Sequence, residues 1–164
     1  MVDAAAVFAA ERAYAAAATS GAPLPAIAPA IAGAVASRYL AVGTPRSLAI
    51  IGAGDGAADS LAAHRTWFQP RDVRCTDAAI AATVGGRVTT LDEALAADIV
   101  CVHQPLQIAA RQLRRGTHVN ALAPVELDAE LASVVHATRG LGPVAAGLVD
   151  GRQLDELTIF YFHG

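Results

Sequence analysis

The strongest constraint on this chain is a short apolar run that empties into glycines, Leu48-Ala49-Ile50-Ile51 followed by Gly52-Ala53-Gly54-Asp55-Gly56-Ala57. A run of that length with no polar alternation reads as a strand buried on both faces, and such strands belong to parallel sheets covered by helices on either side. The pattern recurs down the chain. Strands are expected at 47–51, 72–76, 88–89, 98–103, 117–122 and 157–162, separated by helices at 56–68, 77–84, 91–97, 106–113 and 128–136. The joints carry their own signals: Thr90 and Glu93 have capping-box spacing, and Gly85-Gly86 and Gly116 follow helical stretches. Ahead of the first strand, 2–20 and 29–40 read as two helices separated by Pro23 and Pro25. The expected fold class is therefore α/β, a Rossmann-like doubly wound parallel sheet with two N-terminal helices, its first five strands in the order 3-2-1-4-5. The expected domain division is a helical segment, 1–46, packing on or between domains, and an α/β domain, 47–164.

Composition removes several function classes. The 164 residues suffice for one core, with 54% hydrophobic and 16% charged residues and a net charge of -3, which argues against an electrostatic hold on nucleic acid. All 12 basic residues are arginines, so no lysine is present to form a Schiff base or clamp a carboxylate. Forty alanines account for much of the hydropathy, and no run approaches the roughly 18 apolar residues of a membrane span. Asp3, Glu11 and Arg12 interrupt the first apolar stretch, unlike a secretory signal. Cys75 and Cys101 fall in expected buried strands rather than in a disulfide framework, which points to a reduced, cytoplasmic setting. His64, His136 and His163 share no ligand spacing with a carboxylate or cysteine, so no metal site is expected.

The glycine segment has the form G-x-G-x-x-A between a strand and a helix, the fingerprint of a dinucleotide-binding turn. Gly52 permits the tight turn, Gly54 lets the backbone approach a pyrophosphate, and Ala57 lets the helix lie close to the strand, with Asp55 and Gly56 completing the loop. Asp77, 25 residues beyond Gly52, ends the second strand where a carboxylate accepts from a ribose 2'-hydroxyl and repels a 2'-phosphate, which favours NAD over NADP. Asp55 and Asp59 place two carboxylates beside that dianionic ligand; the same groups would equally cap an empty loop. His103 follows the fourth strand at the ligand-binding edge and is the candidate catalytic acid or base, lying also where a nicotinamide would sit. Asn120, near the same edge, would orient a ligand carbonyl or close the turn. His118 reads as a hydrogen-bonded core histidine, and the two cysteines as small apolar residues.

Four stretches resemble the ornithine cyclodeaminase and mu-crystallin family, which includes archaeal-type alanine dehydrogenases and certain imine reductases. They are residues 34–40 leading to 52–57, Leu91-Asp92-Glu93-Ala94 leading to Ala97-Asp98-Ile99-Val100, Leu113-Arg114-Arg115-Gly116-Thr117-His118-Val119-Asn120-Ala121, and Asp155-Glu156-Leu157-Thr158-Ile159-Phe160. The resemblance implies an NAD-type Rossmann domain. It also shows what differs: family members are about twice as long and carry substrate-binding lysines in a preceding domain. Where the family places a substrate-holding arginine, this chain has Ala28-Pro29-Ala30-Ile31, and the loop that carries an acidic residue after the Val-Asn-Ala strand is shortened to Leu122-Ala123-Pro124-Val125. A working ornithine cyclodeaminase is therefore not expected. Two readings remain: a small NAD-dependent oxidoreductase or imine reductase acting on a small-molecule substrate, or a non-catalytic dinucleotide-sensing subunit (a pseudoenzyme) that serves a protein partner. The helical stripe Val7, Ala10, Tyr14 and Ala17, with Phe8 beside it, suits packing on the domain or on a second copy, and a homo-oligomer is expected.

Overall fold

The computed structural model describes residues 2–54, 56–138, 140–148 and 156–162. Two helices open the chain, α1 (Ala4–Ser20), capped by the Asp3 carboxylate on the Ala6 amide, and α2 (Pro29–Leu40), which starts on proline. There follow β1 (Ser47–Ile51), α3 (Asp59–His64), β2 (Asp72–Cys75), α4 (Ala78–Val84), β3 (Arg87–Val88), α5 (Leu91–Leu95) and β4 (Ile99–Val102). The remainder is β5 (Leu106–Ile108), a 3-10 turn (Ala110–Gln112), β6 (His118–Ala121), β7 (Val125–Leu127), α6 (Ala129–Val134), β8 (His136–Thr138), α7 (Gly142–Ala145) and β9 (Thr158–Tyr161). Seven strands form one parallel sheet in the order β3-β2-β1-β4-β6-β9-β8. The expected order of the first five strands is present, and the fold is an α/β, Rossmann-like one with two helices in front.

Strand periodicity sorts the core. Leu48, Ile50, Ile99 and Cys101 point to one face, where Ala57, Leu61 and Ala81 of the α3 and α4 region meet them. Ala49, Ile51, Val100, Val102, Val119 and Ile159 point to the other, against Leu95 and Leu131. Helix α2 lies on the first face, and α1 covers it from outside: Val7, Ala10 and Tyr14 are buried in one cluster with Val35, Leu40, Leu141 and Phe160. The apolar stripe of α1 is thus used within the chain. Cys75 and Cys101 are buried and unbridged, each opposite Ile50 on the strands flanking β1.

One expected helix is not there. Residues 106–113 form β5 and the 3-10 turn instead, and β5 pairs in parallel with β7 as a separate two-stranded sheet. Leu106 and Ile108 alternate with Gln107 at strand period, and the next turn is held by side chains: Gln112 accepts from the Ala109 amide at 2.9 Å and Asp128 from the Ala110 amide at 3.2 Å. The three-residue strands β7 and β8 carry no apolar run that would announce them. At Thr90 and Glu93 the expected capping box is present at the start of α5.

Asp98 locks the lower end of β1 to that of β4. Its carboxylate accepts from the Arg46 and Ser47 amides and the Ser47 hydroxyl at 2.8 to 2.9 Å, and the Ser47 hydroxyl accepts from the Asp98 amide. Burial alone would raise its pKa; these donors, with the Arg114 guanidinium, outweigh that and hold it below the ordinary carboxylate value. A depressed folded-state pKa contributes stability above the unfolded value that is lost as pH falls through the acid range. Asp98→Asn should lower stability at neutral pH by about 1–2 kcal/mol, or roughly 2–6 °C in Tm, with the difference from wild type vanishing at acid pH; thermal melts across pH check this. His64 is fully buried, and burial, opposed by its bond to the Ser60 carbonyl, pushes its pKa down to about 4. The unfolded chain then takes up a proton that the native chain refuses, so stability should fall between about pH 6.5 and 4, at up to about 1.4 kcal/mol per pH unit. Urea titrations should show a shallower decline in that window for His64→Gln; an unchanged slope would contradict the assignment.

Candidate functional site

The glycine loop leaves β1 at the point where the sheet changes direction, between β1 and β4, the place where open α/β sheets bind ligands. Gly52 is buried at φ 88°, a left-handed conformation that its sequence role requires. Its amide donates to Thr76 Oγ1 at 3.0 Å, which ties the loop to the end of β2. Ala57 is buried against the sheet, and its amide closes a turn on the Gly54 carbonyl at 3.0 Å. Gly56 has φ 77°, and Asp59 begins α3. Asp55 lies outside the described residues. Helix α3 spans only Asp59–His64, shorter than expected, so any hold on phosphate falls to the loop backbone rather than to a long helix dipole.

The loop is closely covered. A Cβ on Gly54 would fall 2.2 Å from the His103 carbonyl oxygen, and one on Gly52 would fall 2.8 Å from the Gln104 side chain. Gly54 therefore admits no side chain for an internal reason, the neighbouring backbone, apart from any ligand. Asp77 lies two residues past β2, at the head of α4, with Oδ1 accepting from the Ile80 amide at 2.9 Å. A carboxylate carries a second oxygen, so the cap leaves capacity for a ribose hydroxyl. These features fit a dinucleotide: a glycine turn with left-handed backbone at the switch point and an acid just past the end of the neighbouring strand.

His103 is 7% exposed, and its Nε2 pairs with Ser60 Oγ at 2.7 Å. Behind Ser60 stands His64, whose Nδ1 meets the Ser60 carbonyl at 2.7 Å and whose Nε2 meets Ser37 Oγ at 2.9 Å. Asn120 does not face the edge. It is fully buried, with Nδ2 donating to Ser37 Oγ at 2.9 Å and Oδ1 opposite His118 Nε2 at 3.0 Å. His118, also fully buried, meets Thr158 Oγ1 at 2.8 Å, as suits a core histidine. Cys101 lies beside this group, and burial pushes its thiol pKa up to about 12, against hydrogen bonds from Asn120 and Ser60 that favour the thiolate. Such a thiol is a packing residue.

Sequence reasoning missed Ser37, Ser60 and Thr76, and considered His64 only as a metal ligand. Two signals were available: Ser60 and His64 stand four apart on one helical face, and Cys101-x-His103 and His118-x-Asn120 put polar groups at inward positions of central strands. Among the described residues no group of three or more His, Cys, Asp or Glu side chains is arranged to hold a metal ion, and no helix is long and apolar enough to cross a membrane.

No protein-family model and no curated protein matches the chain. Solved structures do. An archaeal alanine dehydrogenase dimer with bound NAD superposes with a TM-score of 0.71 at 24% identity, over 80% of this chain and 56% of that one. The iminosuccinate reductase of Paracoccus denitrificans in complex with NAD+ gives 0.65 at 25%, over 80% and 56%. A probable ornithine cyclodeaminase from Bordetella pertussis Tohama I gives 0.67 at 21%, over 82% and 59%. The chain thus spans a little over half the length of these proteins. Its fold is the one shared by the ornithine cyclodeaminase and mu-crystallin-like structures.

Proposed function

We propose that the chain is an NAD-binding module of the oxidoreductase type, not a working ornithine cyclodeaminase. The observation that carries this reading is the glycine turn at the β1–β4 switch point with Asp77 just past the end of the adjacent strand. It is supported by the neighbours described with NAD or NAD+ bound. In this reading the loop Gly52, Gly54, Asp55, Gly56 and Ala57 lies along the pyrophosphate and Asp77 accepts from the adenine ribose. NAD, when bound, supplies the hydride acceptor. His103, held by Ser60 beside the loop, is the group that takes up or gives a proton near the nicotinamide. Asn120 acts from the interior by fixing Ser37 and His118. In this reading the substrate is a small molecule, the setting cytoplasmic, and the protein a homo-oligomer, in keeping with the dimer described for the alanine dehydrogenase.

A second reading has its own observation. The Gly52 amide is already bonded to Thr76, and residues 103 and 104 close directly over Gly52 and Gly54. A loop filled from within suits a subunit that has kept the fold and works through a protein partner.

Replacing Gly54 does not separate the two, because any side chain there meets the His103 carbonyl with or without ligand. Asp77→Asn does, since an amide oxygen can keep the cap on Ile80 while the charge is removed. Calorimetric titration of the wild type should show saturable NAD binding tighter than about 1 mM with NADP weaker, and Asp77→Asn should shrink that preference about tenfold. Absence of binding at millimolar NAD would move the protein to the second reading.

A further inference from the structure

The two edges of the seven-stranded sheet are built differently. At one edge β3 has only two residues and is guarded by charge: Arg87 bridges to Asp72 at 3.0 Å, with the Glu93 carboxylate near it. Short, charged edge strands keep a sheet from pairing with another one. At the other edge stands β8, His136-Ala137-Thr138, which has no carboxylate, no guanidinium and no proline. Among the described residues no strand lies beyond it.

β8 presents an unused pair of backbone groups. The His136 amide donates to the Leu157 carbonyl at 2.8 Å, and the parallel register with β9 continues through Thr138. Backbone groups alternate from side to side along a strand, so His136 and Thr138 turn theirs toward β9 and Ala137 turns its N–H and C=O outward. Ala137 is exposed, and among the described residues neither group has a hydrogen-bond partner. Its side chain is a single methyl group that cannot hold off an approaching strand. Val134, at the end of α6 and two residues before β8, is an apolar side chain left 60% exposed.

We propose that β8 is the seam of a homodimer, in which a second copy of this chain lays its own β8 antiparallel to the first across a two-fold axis at Ala137. This rests on the homo-oligomer of the proposed function and gives the surface through which it forms. The second copy is the occupant because the edge is its own complement. With the axis normal to the sheet, Ala137 faces its counterpart, each donates its N–H to the other's C=O, and the outward groups of both are satisfied. Such an axis keeps each face of the sheet on its own side. Helix α6, packed through Leu131 on the face that carries Val119 and Ile159, therefore shares that face with its counterpart, and both Val134 side chains lie on one side of the seam. The guarded β3 edge decides the closure. Pairing β8 with β3 of a further copy would repeat as an open filament, which the charges on β3 oppose, whereas β8 on β8 closes at two.

The test is light scattering on the full chain at about 1 mM, combined with amide hydrogen exchange. The wild type should show twice the chain mass of 16.7 kDa. Ala137→Pro removes the outward N–H without touching the ladder to β9, and Ala137→Glu sets two carboxylates against each other across the axis. Each should give a monomer with the far-UV spectrum of the wild type. The amide of residue 137 should exchange at least about tenfold more slowly in the wild type than in Ala137→Glu. Should the proline variant not fold, the glutamate variant carries the test. A monomeric wild type overturns the seam and the homo-oligomer together. A dimeric wild type whose Ala137→Glu variant stays dimeric overturns the seam alone and moves the dimer contact to another surface.

Discussion

Buried polar groups must find partners, and in this chain that requirement joins the parts. The inward faces of β4, β6 and β9 carry Cys101, His118, Asn120 and Thr158 where purely apolar residues would pack more simply. Their partners come from α2 and α3: the Ser37 hydroxyl, the Leu40 carbonyl and His64. An unmet partner in such a place costs about 1–3 kcal/mol, so the helices are held in register as well as covered. Helix α2, which precedes the sheet in sequence, is thereby fixed to the last strand that joins it.

The same network of contacts reaches the candidate site. His64 holds the Ser60 carbonyl, and the Ser60 hydroxyl holds His103, whose own carbonyl lies over Gly54. The loop's geometry thus depends on core packing as much as on the identity of its glycines. A fingerprint that is usually explained from the ligand side has here a second explanation from the protein side, and both explanations act on the same residues. That is why Asp77, whose carboxylate has capacity beyond its helix cap, informs on ligand binding more cleanly than Gly54.

Much of the frame is legible in the sequence because its signals are local. The strand-to-glycine junction at Ile51-Gly52, the capping box at Thr90 and Glu93, and the unbroken apolar runs of β1 and β4 each lie within a few residues. The segment after β4 is less legible, since Leu106 and Ile108 suit either a strand or a short helix and the deciding bonds come from Gln112 and Asp128. The buried polar network is the least legible of all. Asn120 and Ser37 are 83 residues apart, and Thr158 and Leu40 are 118 apart, so only the folded sheet brings them together. For the same reason Asn120, one residue from the end of its strand, reads as an edge residue in sequence and lies in the interior in three dimensions.

The central claim is that the turn at the β1–β4 switch point is a dinucleotide site. The most direct measurement is a backbone amide NMR titration of the full chain with NAD. The account predicts saturable shifts concentrated at residues 52–57, 76–77 and 103–104, carried inward to Ser60. Shifts absent at saturating ligand, or clustered elsewhere such as the β5–β7 sheet, would contradict it.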